Sequence, residues 1–315
     1  MSVLDAKWLG RYDSLFISPH GEDVALGCPA RLLSEAASGR RSLVLALFEP
    51  AGVETPASQA AHELGAQYAA AGIPSARERG SPVLTPFEGA RGEADQEAAR
   101  QAARLLADIG PKIQPLHVYA PLGLGRSLDH LLAYEAALRA FASEAGRNLF
   151  LYEERPEAFV PGAVRTRLAL LGARLPPGAA KLADRASVVR HLWRVGEPER
   201  LRGEAIGLGA RLAARLETWR RHRLAAPWNP LRALGPRLHP VVHVGDEDAR
   251  SRAQAVAQAL LPKDGRGRAR SAQRFNGRAT ALAKTLGGVY HAERLWLFLP
   301  AHDGLPEVQH PLEAG

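Results

Sequence analysis

The sequence has very little cysteine: Cys28 is the only one among 315 residues. Intrachain disulfides and cysteine-rich zinc sites are therefore excluded, because each needs at least two thiols. No apolar run approaches the roughly 20 residues that span a bilayer. Residues 1–10 carry Asp5 and Lys7 in place of the apolar stretch of a secretory signal. These absences predict a soluble, cytoplasmic protein in which Cys28 is a small buried side chain.

Positive charge is in excess and is unevenly distributed. The formal net charge is +8, and the segment from Pro161 to Arg223 alone holds 14 Lys and Arg residues against 5 Asp and Glu residues. Such a segment predicts an anionic ligand, or else a solvated helix face with charge pairs four residues apart. Aromatic residues do not alternate with these arginines, which argues against nucleic acid as the partner.

The first 156 residues alternate short apolar runs with amphipathic segments of helical length. This alternation is typical of a Rossmann-like, doubly wound and mostly parallel α/β sheet. Strands are predicted at residues 13–17, 42–48, 82–84, 116–120 and 149–153, and helices at residues 24–38, 58–71, 94–109 and 128–145.

The pattern changes after residue 156. Residues 157–240 are rich in Ala, Leu and Arg and predict a helical, basic insertion, with helices at residues 165–175, 179–195 and 199–223 and a proline-rich linker at residues 225–240. The last part, residues 241–315, predicts a helix at residues 270–286 and a strand at residues 294–300. We therefore expect an α/β core in residues 1–156 that is completed by residues 241–315.

The loop after the first predicted strand contains His20, Glu22 and Asp23. In open α/β sheets, ligands bind at the carboxyl ends of the strands. His20 and Asp23 are close enough in sequence to reach one cation, and imidazole with carboxylate is a normal pair for Zn²⁺. The alternative is a plain loop in which Glu22 and Asp23 favour the positive N-terminus of the next helix.

A second loop, which also follows a predicted strand and opens a helix, contains His130. Both loops should lie on the same edge of the sheet, so we expect His20, Asp23 and His130 to surround one metal ion with an open position for water. Glu22, beside these ligands, is then placed to act as the general base. The alternative for His130 is a solvent-facing histidine at a helix N-terminus.

Three stretches resemble the PIG-L or LmbE-like zinc-dependent N-deacetylases. They are Ser18 to Cys28, Asp129-His130, and Leu151 to Pro156. The position of Glu63 and the segment Tyr290 to Glu293 are also similar to that family, whereas residues 161–270 match poorly.

The resemblance implies roles for single residues. His20, Asp23 and His130 fall on the zinc ligands of the family, and Glu22 falls on its general-base aspartate. Asp129 falls on the acidic residue of the second motif. Among the departures, Gly21 replaces a proline, which we expect to matter little, and Pro29-Ala30 replaces two glycines.

The most consequential departure is Ser127, which stands where the family has a histidine that protonates the leaving amine or stabilises the oxyanion. A serine cannot supply a cationic acid, and the loss of such a group costs about 10²–10⁴ in rate. Slow amide hydrolysis, improved by about 10²-fold in Ser127→His, is the expectation from sequence. His62 and His117 are further candidates, although a helix-face and a strand histidine are more often structural.

The resemblance thus implies a zinc-dependent hydrolase that removes an N-acetyl group from an N-acetylglucosamine-type sugar or glycoconjugate. Water on zinc would be activated by Glu22, and Ser127 would be a neutral donor to the oxyanion. The alternative is a catalytically impaired relative that binds a metal or a glycan, or serves as a scaffold.

Overall fold

The computed structural model describes residues 10–81, 92–124, 127–144, 146–159, 163–176, 179, 236–261 and 268–299. The strands are β1 Ser14–Ser18, β2 Ser42–Ala46, β3 Gln67–Ala70, β4 His117–Pro121, β5 Asn148–Tyr152, β6 Arg237–Gly245 and β7 His291–Leu299. The helices are α1 Gly21–Gly27, α2 Pro29–Ala37, α3 Pro56–Glu63, α4 Glu93–Ile113, α5 Leu128–Phe141, α6 Ala163–Leu170, α7 Glu247–Leu260 and α8 Arg268–Thr285, with a 3₁₀ turn at Glu157–Phe159. None of the described helices combines the length and hydrophobicity that a membrane span requires.

The strands form one sheet in the order β3-β2-β1-β4-β5-β7-β6. The first five are parallel, and β7 runs antiparallel to both β5 and β6. The predicted doubly wound, mostly parallel α/β sheet is therefore confirmed. The strand order reverses between β1 and β4, so the carboxyl ends of these two strands form the switch point at which such sheets bind ligands.

Apolar residues fill both faces of the central strands. Every residue of β1 and of β2 is buried, as expected for parallel strands that are covered on both sides. Leu15 and Ile17 pack into the core beneath α4 and α5. Phe16 belongs to the opposite core, beneath α1, α2 and α3, where it stacks on Tyr119 with the ring centroids 4.3 Å apart. The two cores hold β1 and β4, and hence the loops that follow them, in a fixed position.

The predicted helices at residues 24–38 and 58–71 were wrong in their extent. The first is two helices, because Pro29 starts α2 as its first helical residue, a position that suits proline. The second ends at Glu63, and Gly65 then takes a left-handed φ of 85°. The chain can turn there into β3, a strand that the sequence analysis missed.

Two further boundaries differ because tertiary packing outweighs local preference. Helix α4 continues through Pro111 to Ile113, since Ile109 and Ile113 are both buried in the core. The linker predicted at residues 225–240 is wrong at its end, where β6 begins at Arg237. Pro240 is tolerated in β6 because this strand lies at the edge of the sheet.

Several expectations fall on parts of the chain outside the described residues. These are the strand at residues 82–84, the helices at residues 179–195 and 199–223, and with them most of the basic insertion. Helix α6 covers the first part of the helix predicted at residues 165–175. The division into residues 1–156, 157–240 and 241–315 stays a prediction.

Candidate metal centre

The first loop of the site follows β1 and forms the N-terminus of α1. His20 is the N-cap residue, and its backbone N–H donates to Asp23 Oδ2 at 2.9 Å. A carboxylate at this helical position satisfies a backbone N–H that the helix itself leaves free. The helix-capping role considered from sequence is therefore present, and the same contact fixes Asp23 beside His20.

Three side chains converge at the switch point between β1 and β4. His20, Asp23 and His130 each offer one ligand atom, and these atoms all lie within 4.8 Å of one another. Asp23 Oδ2 is 3.4 Å from His20 Nδ1 and 3.3 Å from His130 Nε2. Tetrahedral zinc with bonds of about 2.0–2.2 Å places neighbouring ligand atoms roughly 3.3–3.6 Å apart. The two separations therefore fit zinc, and two imidazoles with one carboxylate leave the fourth position open.

The second nitrogen of each imidazole faces a further carboxylate. His20 Nε2 lies 3.1 Å from Asp129 Oδ2, and His130 Nδ1 lies 3.3 Å from Glu154 Oε1. Histidine ligands of metals commonly donate their other ring N–H to a carboxylate, which fixes the tautomer and the ring orientation. Burial alone would lower the pKa of His130, but Asp23 and Glu154 raise it well above its usual range.

The two outer carboxylates are themselves firmly held. Glu154 is fully buried and accepts three backbone N–H groups, those of Leu122, Gly123 and Leu124, at 2.8 to 3.1 Å. Asp129 accepts the backbone N–H of Ala76 at 3.0 and 3.1 Å. Both carboxylates therefore keep their orientation toward the imidazoles independently of a metal.

Arg79 completes the support of Asp129. Its Nη2 donates to Asp129 Oδ1 at 3.0 Å, and its Nε donates to Asp95 Oδ1 at 2.9 Å. The Arg79 side chain is almost fully buried, so these ion pairs are shielded from water. Sequence reasoning assigned no role to Arg79 or Glu154. Glu154 did stand within the Leu151 to Pro156 stretch, which was the available signal for it.

The outer carboxylates lead to a first testable prediction. Asp129→Asn and Glu154→Gln should each weaken zinc binding by about 10- to 100-fold, because the imidazoles lose the partner that orients them. Competition with a chromogenic chelator measures the change in Kd. Glu97→Gln, which removes an exposed carboxylate from α4, is the matched control and should leave the Kd unchanged. An unchanged Kd in both test variants would contradict a supporting role for these groups.

Glu22 lies in the first turn of α1, between the two ligand candidates of that loop. Its side chain is exposed. The surrounding protein removes enough water to raise the pKa of Glu22, and the charge of Asp23 raises it further. A carboxylate with a raised pKa that is open to solvent beside a candidate metal site is a candidate general base.

Gly21 is more constrained than the sequence suggested. Its N–H donates to Glu49 Oε1 at 2.7 Å, which a proline could not do. A Cβ atom at this position would lie 2.6 Å from both Ala57 Cβ and Tyr68 Oη. Glycine therefore fits the neighbours of this loop better than a residue with a Cβ atom would, and the expectation that its replacement of the proline matters little stays a prediction.

Ser127 is the N-cap residue of α5 and is half-buried. Its side chain does not bond the helix N-terminus, so the hydroxyl is not committed to capping. The helix that it opens carries Asp129 and His130 in its first turn. Ser127 therefore directly precedes the helical turn that contains Asp129 and His130, and its role in the site stays a prediction.

The lower-ranked candidates lie elsewhere. His62 is exposed on α3, with Nδ1 3.0 Å from the carbonyl oxygen of Ala66. His117 is the first residue of β4, whereas the site lies beyond the last residue of that strand. Cys28 is fully buried, as predicted, and burial raises the pKa of its thiol. These side chains therefore have structural surroundings and do not join the site.

Comparison with protein-family models and with curated proteins gives no match to this chain. Among solved structures, a complex of teicoplanin with a deacetylase of its biosynthesis is similar at a TM-score of 0.56 and 16% identity, covering 92% of this chain and 99% of that one. The zinc-inhibited form of teicoplanin deacetylase Orf2 is similar at a TM-score of 0.54 and 18% identity, with coverage of 92% and 99%. The A40926 pseudoaglycone deacetylase Dbv21 is similar at a TM-score of 0.51 and 14% identity, covering 93% of this chain and 100% of that one. This chain therefore shares the fold of these deacetylases, which is the fold that the motif resemblance implied.

Proposed function

We propose that this protein is a divergent zinc-dependent N-deacetylase that releases acetate from an N-acetylated sugar or glycoconjugate. The observation that carries the proposal is the donor set of His20, Asp23 and His130, whose spacing of 3.3 and 3.4 Å fits zinc. The motif resemblance to PIG-L or LmbE-like deacetylases supports the reaction class, as does the shared fold with the deacetylases named above.

The ligand residues would hold zinc with one position free. A zinc ion in such a site lowers the pKa of a water ligand toward 7 and polarises a carbonyl group. Glu22 takes the proton from the attacking water. Asp129 and Glu154 keep the two imidazoles oriented, so that His20 and His130 need not reorganise during the reaction.

The amide carbonyl becomes a tetrahedral oxyanion when the water attacks it. The hydroxyl of Ser127 is a neutral donor at the edge of the site and can bond this oxygen or a substrate hydroxyl. A neutral donor stabilises an oxyanion less than a cationic one, so acid catalysis at the leaving nitrogen must come from another group.

The direct test is amine release by zinc-loaded protein from N-acetylglucosamine and its glycosides. Released amine should rise in proportion to zinc occupancy, fall to background after chelation and return on adding zinc. If the protein takes up no zinc, the proposed zinc site does not exist and the proposal is overturned.

A second reading, a metal- or glycan-binding protein without turnover, is favoured by one observation, the serine at position 127. It predicts full zinc occupancy and binding of N-acetylated sugars with no amine release. Calorimetric titration of the same sugars into zinc-loaded protein, run beside the activity assay, separates the two functions.

A further inference from the structure

Glu49 lies in the loop that follows β2, beside the first loop of the candidate metal centre. The N–H of Phe48 donates to the carbonyl of Pro19 at 3.0 Å, so the two loops continue the pairing of β1 with β2. The carbonyl of Glu49 accepts the N–H of Gly72, in the loop after β3, at 2.9 Å. Hydrogen bonds to both neighbouring loops therefore fix the backbone around Glu49 at the carboxyl edge of the sheet.

The Glu49 carboxylate accepts two hydrogen bonds. Its Oε1 accepts the backbone N–H of Gly21 at 2.7 Å, and its Oε2 accepts the hydroxyl of Tyr68. Tyr68 is buried on β3. Burial raises the pKa of Tyr68 and the bond to Glu49 raises it further, so the hydroxyl keeps the proton that it donates. These two bonds fix the orientation of the Glu49 side chain.

Gly21 is the first residue of α1 and stands between the candidate ligand His20 and the candidate base Glu22. Backbone N–H groups in the first turn of a helix have no partner within that helix. The N–H of His20 donates to Asp23, which belongs to the same loop. The N–H of Gly21 donates instead to Glu49, which comes from the loop after the neighbouring strand. This bond therefore ties the peptide between ligand and base to the rest of the sheet edge.

The backbone position matters for Glu22 because its side chain is exposed. Close packing does not hold an exposed side chain, so the reach of the Glu22 carboxylate depends on where its own backbone lies. A general base must come within hydrogen-bond reach of the proton that it takes. Misplacement by about 1 Å can cost about 10²-fold in rate. A contact that fixes the peptide next to Glu22 can therefore control the reaction without touching the substrate.

We infer that Glu49 is a positioning residue for Glu22 and acts through the N–H of Gly21. The inference rests on the proposed function. Glu49 contributes an acceptor oxygen in a fixed place, and neither its negative charge nor proton transfer to it takes part in the reaction. A proline in place of Gly21, as in the family, has no N–H to donate, so the Gly21–Glu49 bond depends on the glycine of this chain.

The experiment compares wild type with Glu49→Gln, Glu49→Asp and Glu49→Ala, all full-length and at matched zinc occupancy. Glutamine keeps an acceptor oxygen at the same reach without the charge, and its NH₂ group can donate to the Tyr68 hydroxyl. Aspartate keeps the charge but draws its oxygens back by one methylene. Amine release from an N-acetylglucosamine glycoside should stay within about tenfold of wild type in Glu49→Gln, whereas kcat should fall by about 10²-fold in the other two variants. KM should change by less than about threefold, because the lost contact serves the reacting geometry and does not bind the substrate.

The Gly21 N–H can also be observed without any activity. His20-Gly21 is the only His-Gly pair in the sequence, so labelling histidine carbonyl carbons and glycine nitrogens with NMR-active isotopes isolates one amide signal. A hydrogen bond to a charged group is worth about tenfold or more in an equilibrium constant. Exchange of this amide with solvent should therefore be about tenfold or more faster in Glu49→Asp and Glu49→Ala than in wild type, and slower in Glu49→Gln than in those two. Glu54→Ala, which removes an exposed carboxylate of the same loop, is the matched control and should change neither exchange nor amine release.

Four results would overturn the inference and leave the deacetylase function in place. Unchanged exchange in Glu49→Ala would mean that Glu49 does not hold the Gly21 N–H, and faster exchange with undiminished amine release would mean that the bond does not position the base. Activity retained in Glu49→Asp and lost in Glu49→Gln would show that Glu49 acts through its charge. Equal loss in all three variants together with a lower melting temperature would assign it a structural role. Wild-type protein with full zinc and no amine release would instead remove the deacetylase function itself, and the role of Glu49 with it.

Discussion

His130→Ala should remove zinc from this protein and abolish hydrolysis with it. His130 is 5% exposed and offers one of three candidate ligand atoms, so no neighbouring group can replace it without repacking. Structural zinc sites with four ligands bind with about 10–16 kcal/mol, or roughly 3 kcal/mol per ligand, so the loss of one ligand should weaken zinc binding by at least about 10²-fold. Metal analysis after gel filtration should give about one zinc per chain in wild type and much less in the variant.

His20→Ala is the companion variant, because the His20 side chain is 28% exposed and its removal leaves a smaller cavity. It should lose zinc in the same way, and a circular-dichroism melt should show that it remains folded. His117→Ala, at the far end of β4, is the matched histidine control and should keep one zinc. Zinc content that is unaffected in both His20→Ala and His130→Ala would place the metal elsewhere in the chain.

The convergence of His20, Asp23 and His130 could be predicted from sequence because it depends on short-range rules. The loops that contain His20 and His130 each follow a buried parallel strand, and the carboxyl ends of neighbouring parallel strands meet at one edge of the sheet. β1 and β4 are neighbours, with Ser14 paired to His117. The prediction therefore needed only the strand positions, and the structure adds that the two strands are neighbours.

The supporting residues could not be predicted in the same way. Arg79 reaches Asp129 across 50 positions of sequence, and Glu154 bonds the N–H of Leu122 across 32. Contacts of this kind depend on how loops fold over the sheet, which no periodicity in the sequence encodes.

The strands β3 and β6 were missed for a related reason. Gln67–Ala70 continues an alanine-rich pattern typical of helix, and it becomes a strand because β2 lies beside it with Val44 paired to Tyr68. β6 contains Pro240 and has an outer edge position that tolerates it. In both cases a neighbouring strand decides the conformation, and local propensity does not.

Glu22→Gln should abolish amine release while leaving zinc in place. Glutamine keeps the size of the side chain but cannot accept the proton of the attacking water, and the loss of a general base typically costs about 10²–10⁴ in rate. Glu22 bears none of the three ligand atoms, so zinc content should remain about one per chain. The rate is measured as single-turnover amine release, and the zinc content of each sample is measured alongside it.

Glu22→Asp is the informative partner, because it introduces the residue that the PIG-L or LmbE-like family has at this position. The side chain is then one methylene shorter but still ends in a carboxylate. If this carboxylate acts as the general base, activity should stay within about tenfold of wild type. Glu63→Gln, on the exposed face of α3, controls for the loss of one negative charge near the N-terminal half of the sheet. Loss of zinc in Glu22→Gln would make Glu22 a ligand rather than a base. Full activity in that variant would require another base, and Glu49, which accepts the N–H of Gly21, would be the next carboxylate to replace.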